Sequence, residues 1–124
     1  MKNAELVEFQ AVAKRYAQAL SELCESHFVE RKEVLKDLYN IVEVLDSSSE
    51  LVNLIKTPEV TKSEKQNVVN KIFDGKINKI TLNFLMYLIE KNRFNIIKSI
   101  LSEFQTSIDK EYNLVHIEIV SAIN

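Results

Sequence analysis

Residues 77–91 read INKITLNFLMYLIEK, and this stretch decides the fold. Ile80, Leu82, Phe84, Leu85, Met86, Tyr87, Leu88 and Ile89 surround nearly the whole of a helix drawn through it. Only a narrow polar strip, Lys79, Asn83 and Glu90, is left, with Ile80, Met86 and Tyr87 beside it. A short helix that is apolar on almost every side belongs in the middle of a helical bundle. Working outward, Asp74-Gly75 in front is a natural stop for a preceding helix, and Asn92 behind is a suitable residue for the turn after this one.

The flanking segments have helical period. From about Ala4 to Glu25, Leu6, Phe9, Ala13, Ala17, Leu20 and Cys24 fall on one face. A second row, Val12, Tyr16, Ala19 and Leu23, lies beside them and widens the apolar arc to roughly half the circumference, where about 100° suffices to dock a surface helix. The surplus flank either packs on another helix or serves as a docking surface. A second helix is expected over about Val29–Asp46. Ser47 and Glu50 have capping-box spacing and open a short third helix that ends at Thr57-Pro58. Thr61 and Glu64 repeat the box and open a fourth, to about Phe73. A sixth helix is expected from about Arg93 to Glu111, with Phe94, Ile97, Ile100, Leu101, Phe104 and Ile108 inside.

After that the period changes to two. Val115, Ile117, Ile119 and Ser121 alternate with His116, Glu118, Val120 and Ala122, which reads as a β-strand. Nothing else in the chain reads as a partner for it. The expectation is therefore an all-α six-helix bundle over residues 1–112. A short C-terminal strand in residues 113–124 then opens a further segment that is cut off at Asn124.

Composition limits the chemistry. The 124 residues are 46% apolar and 27% charged, enough to build one domain around a core. One Gly and one Pro exclude turn-rich β folds and every phosphate-cradling glycine motif. A formal net charge of −2 argues against a nucleic-acid partner. A single cysteine, Cys24, excludes an intrachain disulfide, and no Cys or His pair has metal-ligand spacing. No run is long enough to span a bilayer and no leader is recognisable. Cys24 reads as core and His27 as a helix-end residue near the last carbonyls. Glu5, Glu8, Glu22 and Glu25 with Lys14, Arg15 and Gln18 read as a solvated face. Arg15, Arg31 and Arg93 lie on separate elements, so a helical enzyme that clamps a dianion is disfavoured. The residues alone describe a non-catalytic helical interaction module without cofactor, which holds an amphipathic helix against the outer flank of the first helix and the polar-edged side of the fifth.

Three stretches resemble one family. Ala13-Lys14-Arg15-Tyr16-Ala17-Gln18-Ala19-Leu20 is similar to the R-Y-A-K-A-L signature of the delta subunit of rotary ATP synthases, whose mitochondrial counterpart is the oligomycin-sensitivity-conferring protein. Thr57-Pro58-Glu59-Val60 with Glu64-Lys65 resembles the family's N-P then E-K segment. Asn83-Phe84-Leu85 leading to Glu90-Lys91-Asn92-Arg93-Phe94 resembles N-F-L then E-N-x-R-L, with Asn92 where a Gly often stands. Ile119-Val120-Ser121-Ala122 resembles the V-x-S-A that opens the family's C-terminal part.

The resemblance implies a non-catalytic peripheral-stalk (stator) subunit of a proton-translocating ATP synthase, and the missing transit peptide points to the cytoplasmic face of a bacterial plasma membrane. The implied partner is the N-terminal helix of an alpha subunit, bound between the first and fifth helices. By motif position Tyr16, Ala19 and Tyr87 are the implied groove residues; Val12 and Leu23 join them by helix angle, and Asn83 and Ile80 by their place in or beside the polar strip of the fifth helix. Contact with b-type stalk subunits is implied for the family's C-terminal part.

Overall fold

The structure, a computed structural model, describes the backbone of residues 3–123 and the side chains of residues 8–113. Six α-helices follow in order: α1 (Asn3–Ser26), α2 (Arg31–Ser47), α3 (Ser49–Lys56), α4 (Lys62–Phe73), α5 (Lys79–Glu90) and α6 (Ile97–Ile123), with a 3₁₀ turn at Phe94–Ile96 leading into α6. The six-helix all-α architecture agrees with the sequence reading.

The core is the set of apolar stripes brought together. Ala13, Ala17, Leu20 and Cys24 of α1 are buried with Val34, Leu38 and Ile41 of α2, Leu85 and Leu88 of α5, and Ile97, Ile100 and Phe104 of α6. α1 packs mainly along α6. α2 and α6 are antiparallel, as their lateral ties show. Arg31 pairs with Glu111, Tyr39 donates from its hydroxyl to Gln105 Oε1 at 3.0 Å, and Lys98 Nζ reaches Asp46 Oδ1 at 2.6 Å. α5 lies deepest, burying Thr81, Leu82, Phe84, Leu85, Leu88 and Ile89. Its start is held by α2: Asp37 Oδ2 accepts from Asn78 N–H and from the Thr81 hydroxyl, both at 2.8 Å.

The expected C-terminal strand is absent. α6 continues to Ile123, and there is no strand among the described residues. A lone strand has no partner for its N–H and C=O groups, whereas a helix satisfies them within its own segment. Residues 97–112 have already met the cost of nucleation, so each further residue adds a hydrogen bond. The β-branched residues oppose this by at most about 0.7 kcal/mol each.

A second difference concerns the start of α3. The capping hydroxyl belongs to Ser48, which accepts from Leu51 N–H at 3.2 Å, and not to Ser47 facing Glu50. Ser47 closes α2 and donates to Glu43 C=O at 2.8 Å. Three consecutive serines make the register degenerate in sequence, and the extra residue of α2 decides it. At α4, Thr61 accepts from Glu64 N–H at 3.1 Å, the bond expected of that cap. Pro58 follows an extended Thr57, and Gly75 stands at φ +79° just past α4.

Candidate functional site: a groove between helices one and five

The row of α1 beside its core stripe borders an open groove. Val12, Arg15, Tyr16, Ala19, Glu22, Leu23 and Ser26 form one wall of a groove of about 760 Å³, and Asn83, Phe84, Tyr87 and Arg93 form the other. Six of the seven residues expected at a partner surface meet here: Val12, Tyr16, Ala19, Leu23, Asn83 and Tyr87. Ile80 does not. It is half-buried in the first turn of α5 and packs against the core.

The floor is aromatic. Tyr16 meets the buried Phe84 edge-on, with centroids 6.4 Å apart, and lies 6.1 Å from Tyr87. Tyr87 is half exposed, at 50%, and Leu23 is 38% exposed, so both offer apolar area that the bundle has not used. Lys91 Nζ stands 5.7 Å from the Tyr87 ring centroid, where a cation is attracted to the ring face. Ala19, next to Tyr16, keeps the wall low and the floor reachable.

Arg15, Glu22, Ser26, Phe84 and Arg93 also line the groove, and sequence reasoning did not select them. The expectation of a purely solvated face placed Arg15 and Glu22 away from it, but both stand on its rim. For Ser26 the signal was present: residues 12, 16, 19, 23 and 26 repeat with three-four spacing, the seam one helix offers another, whereas no local pattern marks the other four. The arginines divide. Arg15 and Arg93 share the groove, while Arg31 pairs with Glu111 elsewhere, so no three-guanidinium clamp forms. Among the described residues no ion pair engages Arg15, Arg93 or Glu22.

The lone thiol is buried and the described imidazole stands at a helix end. Burial pushes the Cys24 thiol up from its ordinary pKa, with the Arg31 charge opposing weakly. His27 places Nδ1 3.0 Å from Leu23 C=O, at the end of α1 as expected. His116 and Leu6 have side chains outside the described ones. Among the described residues no group of His, Cys, Asp and Glu could hold a metal ion. No described helix is long and apolar enough to cross a membrane.

Residues 12–124 match the family described as ATP synthase delta (OSCP) subunit. The chain belongs to that family. It is similar to the ATP synthase subunit delta of Acetivibrio thermocellus, 32% identical over 113 residues that cover 91% of this chain and 63% of that one. It is also similar to the subunit delta of Desulforamulus reducens, 35% identical over 114 residues, 91% of this chain and 62% of that one. A third relative, the sodium ion specific subunit delta of Ilyobacter tartaricus, is 33% identical over 118 residues, 95% and 66% of the two chains. This delta-family chain therefore spans just under two thirds of the length of these relatives. The resemblance read from its three motifs is borne out at the level of the family.

Proposed function

We propose that the chain is a non-catalytic peripheral-stalk component of a rotary ATP synthase, and that its groove between α1 and α5 holds the N-terminal helix of an alpha subunit. The observation that supports this best is the meeting of Tyr16, Ala19 and Leu23 with Asn83 and Tyr87 on one unfilled groove of a delta-family bundle. An amphipathic helix laid there buries the exposed parts of Tyr16, Tyr87 and Leu23 under its apolar stripe. Its flanking charges meet Arg15 and Glu22 on the α1 wall and Arg93 on the other. Such helix-in-groove contact is strengthened by rigid aromatic anchors.

The work is mechanical. The module keeps the catalytic headpiece from turning with the rotor, which needs slow dissociation and no bond-making. Binding to b-type stalk subunits falls to the part of the family that this chain does not span, with residues 113–124 leading toward it and residues 1–112 acting as the bundle domain. The protein works as a peripheral component on the cytoplasmic face of a bacterial plasma membrane. Calorimetric titration of the chain with a peptide of the cognate alpha-subunit N-terminus tests the reading. Saturable binding of one peptide per chain is expected, and its absence overturns the proposal.

A further inference from the structure

We propose that Phe28 is a second anchor for the helix in the groove, engaged where that helix runs past Ser26; this rests on the groove reading above. Phe28 is 97% exposed, and its backbone is left-handed at φ +56°. The exposed ring adds nothing to the stability of the fold, and the left-handed backbone lowers it. An aromatic ring gains nothing in water, and a bulky side chain at positive φ is a steric outlier.

The turn explains the backbone but not the residue. α1 ends with Phe28 N–H donating to Glu25 C=O at 3.3 Å and Val29 N–H to Cys24 C=O at 2.9 Å. This pair of bonds is the Schellman motif, whose left-handed position favours Gly. α5 ends with the same pair of bonds, Asn92 N–H to Ile89 C=O and Arg93 N–H to Leu88 C=O, and there the left-handed residue is Asn92, φ +57°. After α4 it is Gly75. Among the described residues, only the end of α1 puts a side chain unsuited to the position there. The apolar contact that accompanies such a turn is made by Val29, which packs against the core and leaves the Phe28 ring to solvent. A strained, exposed aromatic that the bundle does not use points to a role outside the bundle.

Its place fits the groove. Leu23 and Ser26 line the last part of the α1 wall, and the Phe28 Cα is at most about 8 Å from that of Ser26, two virtual bonds on. The two turn bonds and the His27–Leu23 contact fix the backbone on which the ring is mounted. The wall from Val12 to Ser26 is about 21 Å long at 1.5 Å per residue, so it takes a helix of about fourteen residues. A longer helix passes Phe28 and covers it with an apolar side chain of its next turn.

The test compares wild type, Phe28→Ala and Phe28→Gly, titrated with an alpha-subunit N-terminal peptide of about twenty residues and melted without it. Both variants are expected to bind about tenfold more weakly, the scale of one interface anchor. Phe28→Gly is also expected to melt about 4 °C higher, because glycine relieves the strain, while Phe28→Ala keeps it. Removing four residues from one peptide end should weaken wild type but not the variants. Removing them from the other end should weaken all three alike. Wild-type affinity in both variants, or a lower melting temperature for Phe28→Gly, overturns the anchor and leaves the groove standing. Failure of the wild-type chain to bind overturns both.

Discussion

Asp37 shows how much one side chain can decide. Its carboxylate is nearly buried and takes two hydrogen bonds at the start of α5. That positions the helix carrying Asn83 and Tyr87. Asp37→Ala leaves the Asn78 N–H and the Thr81 hydroxyl without that acceptor and should destabilise the chain by about 1.5–3 kcal/mol, measured by urea unfolding. Nothing in the sequence near Asp37 marks it, because its partners are 41 and 44 residues away. Cys24, by contrast, was legible as core from its helical row. Its raised pKa stabilises the fold below the ordinary thiol value, and that contribution is lost as pH rises through the thiol's folded-state pKa. Wild type should therefore lose more stability than Cys24→Ala between pH 8 and pH 10, and its thiol should resist a soluble disulfide reagent until the chain unfolds.

At the scale of the element, caps and termini separate what a local pattern can specify from what it leaves open. Thr61 and Pro58 act where their chemistry predicts. The serine run does not declare which hydroxyl caps α3, since each of three neighbours offers the same group. Ser48→Ala should cost about 1 kcal/mol and Ser47→Ala much less, read from thermal melts of the two variants. The close of α6 is a matter of length. Val115 to Ala122 alternates like a strand in isolation, but it follows a helix already formed over four turns, and the helix extends. Local propensity is worth tenths of a kcal/mol per residue, and the absence of any strand partner outweighs it.

For the molecule as a whole, the fold and the groove draw on the same helices and share Val12 and Phe84, but residues such as Leu85 serve the core alone. Leu85 is fully buried; Leu85→Ala should cost about 2–5 kcal/mol and affect binding only through stability. Tyr16 borders the groove, and Tyr16→Asp should abolish peptide binding in calorimetry while retaining the far-ultraviolet helical signal. An equal loss of helicity would make Tyr16 a core residue. The sequence by itself determined the helix count, the inward stripes of the first and sixth helices, the central place of the fifth and the family, because helical period and backbone-breaking residues are local properties. It also placed Val12, Tyr16, Ala19 and Leu23 on one flank of α1. Only the tertiary structure decided that this flank faces Asn83 and Tyr87 across open space, that Ile80 turns to the core, and that Arg15 and Arg93 share one groove while Arg31 does not. The reason is that a groove is the gap between two surfaces. Its width is set by how α1 packs on α6 and how α2 holds α5, contacts between residues far apart in the chain.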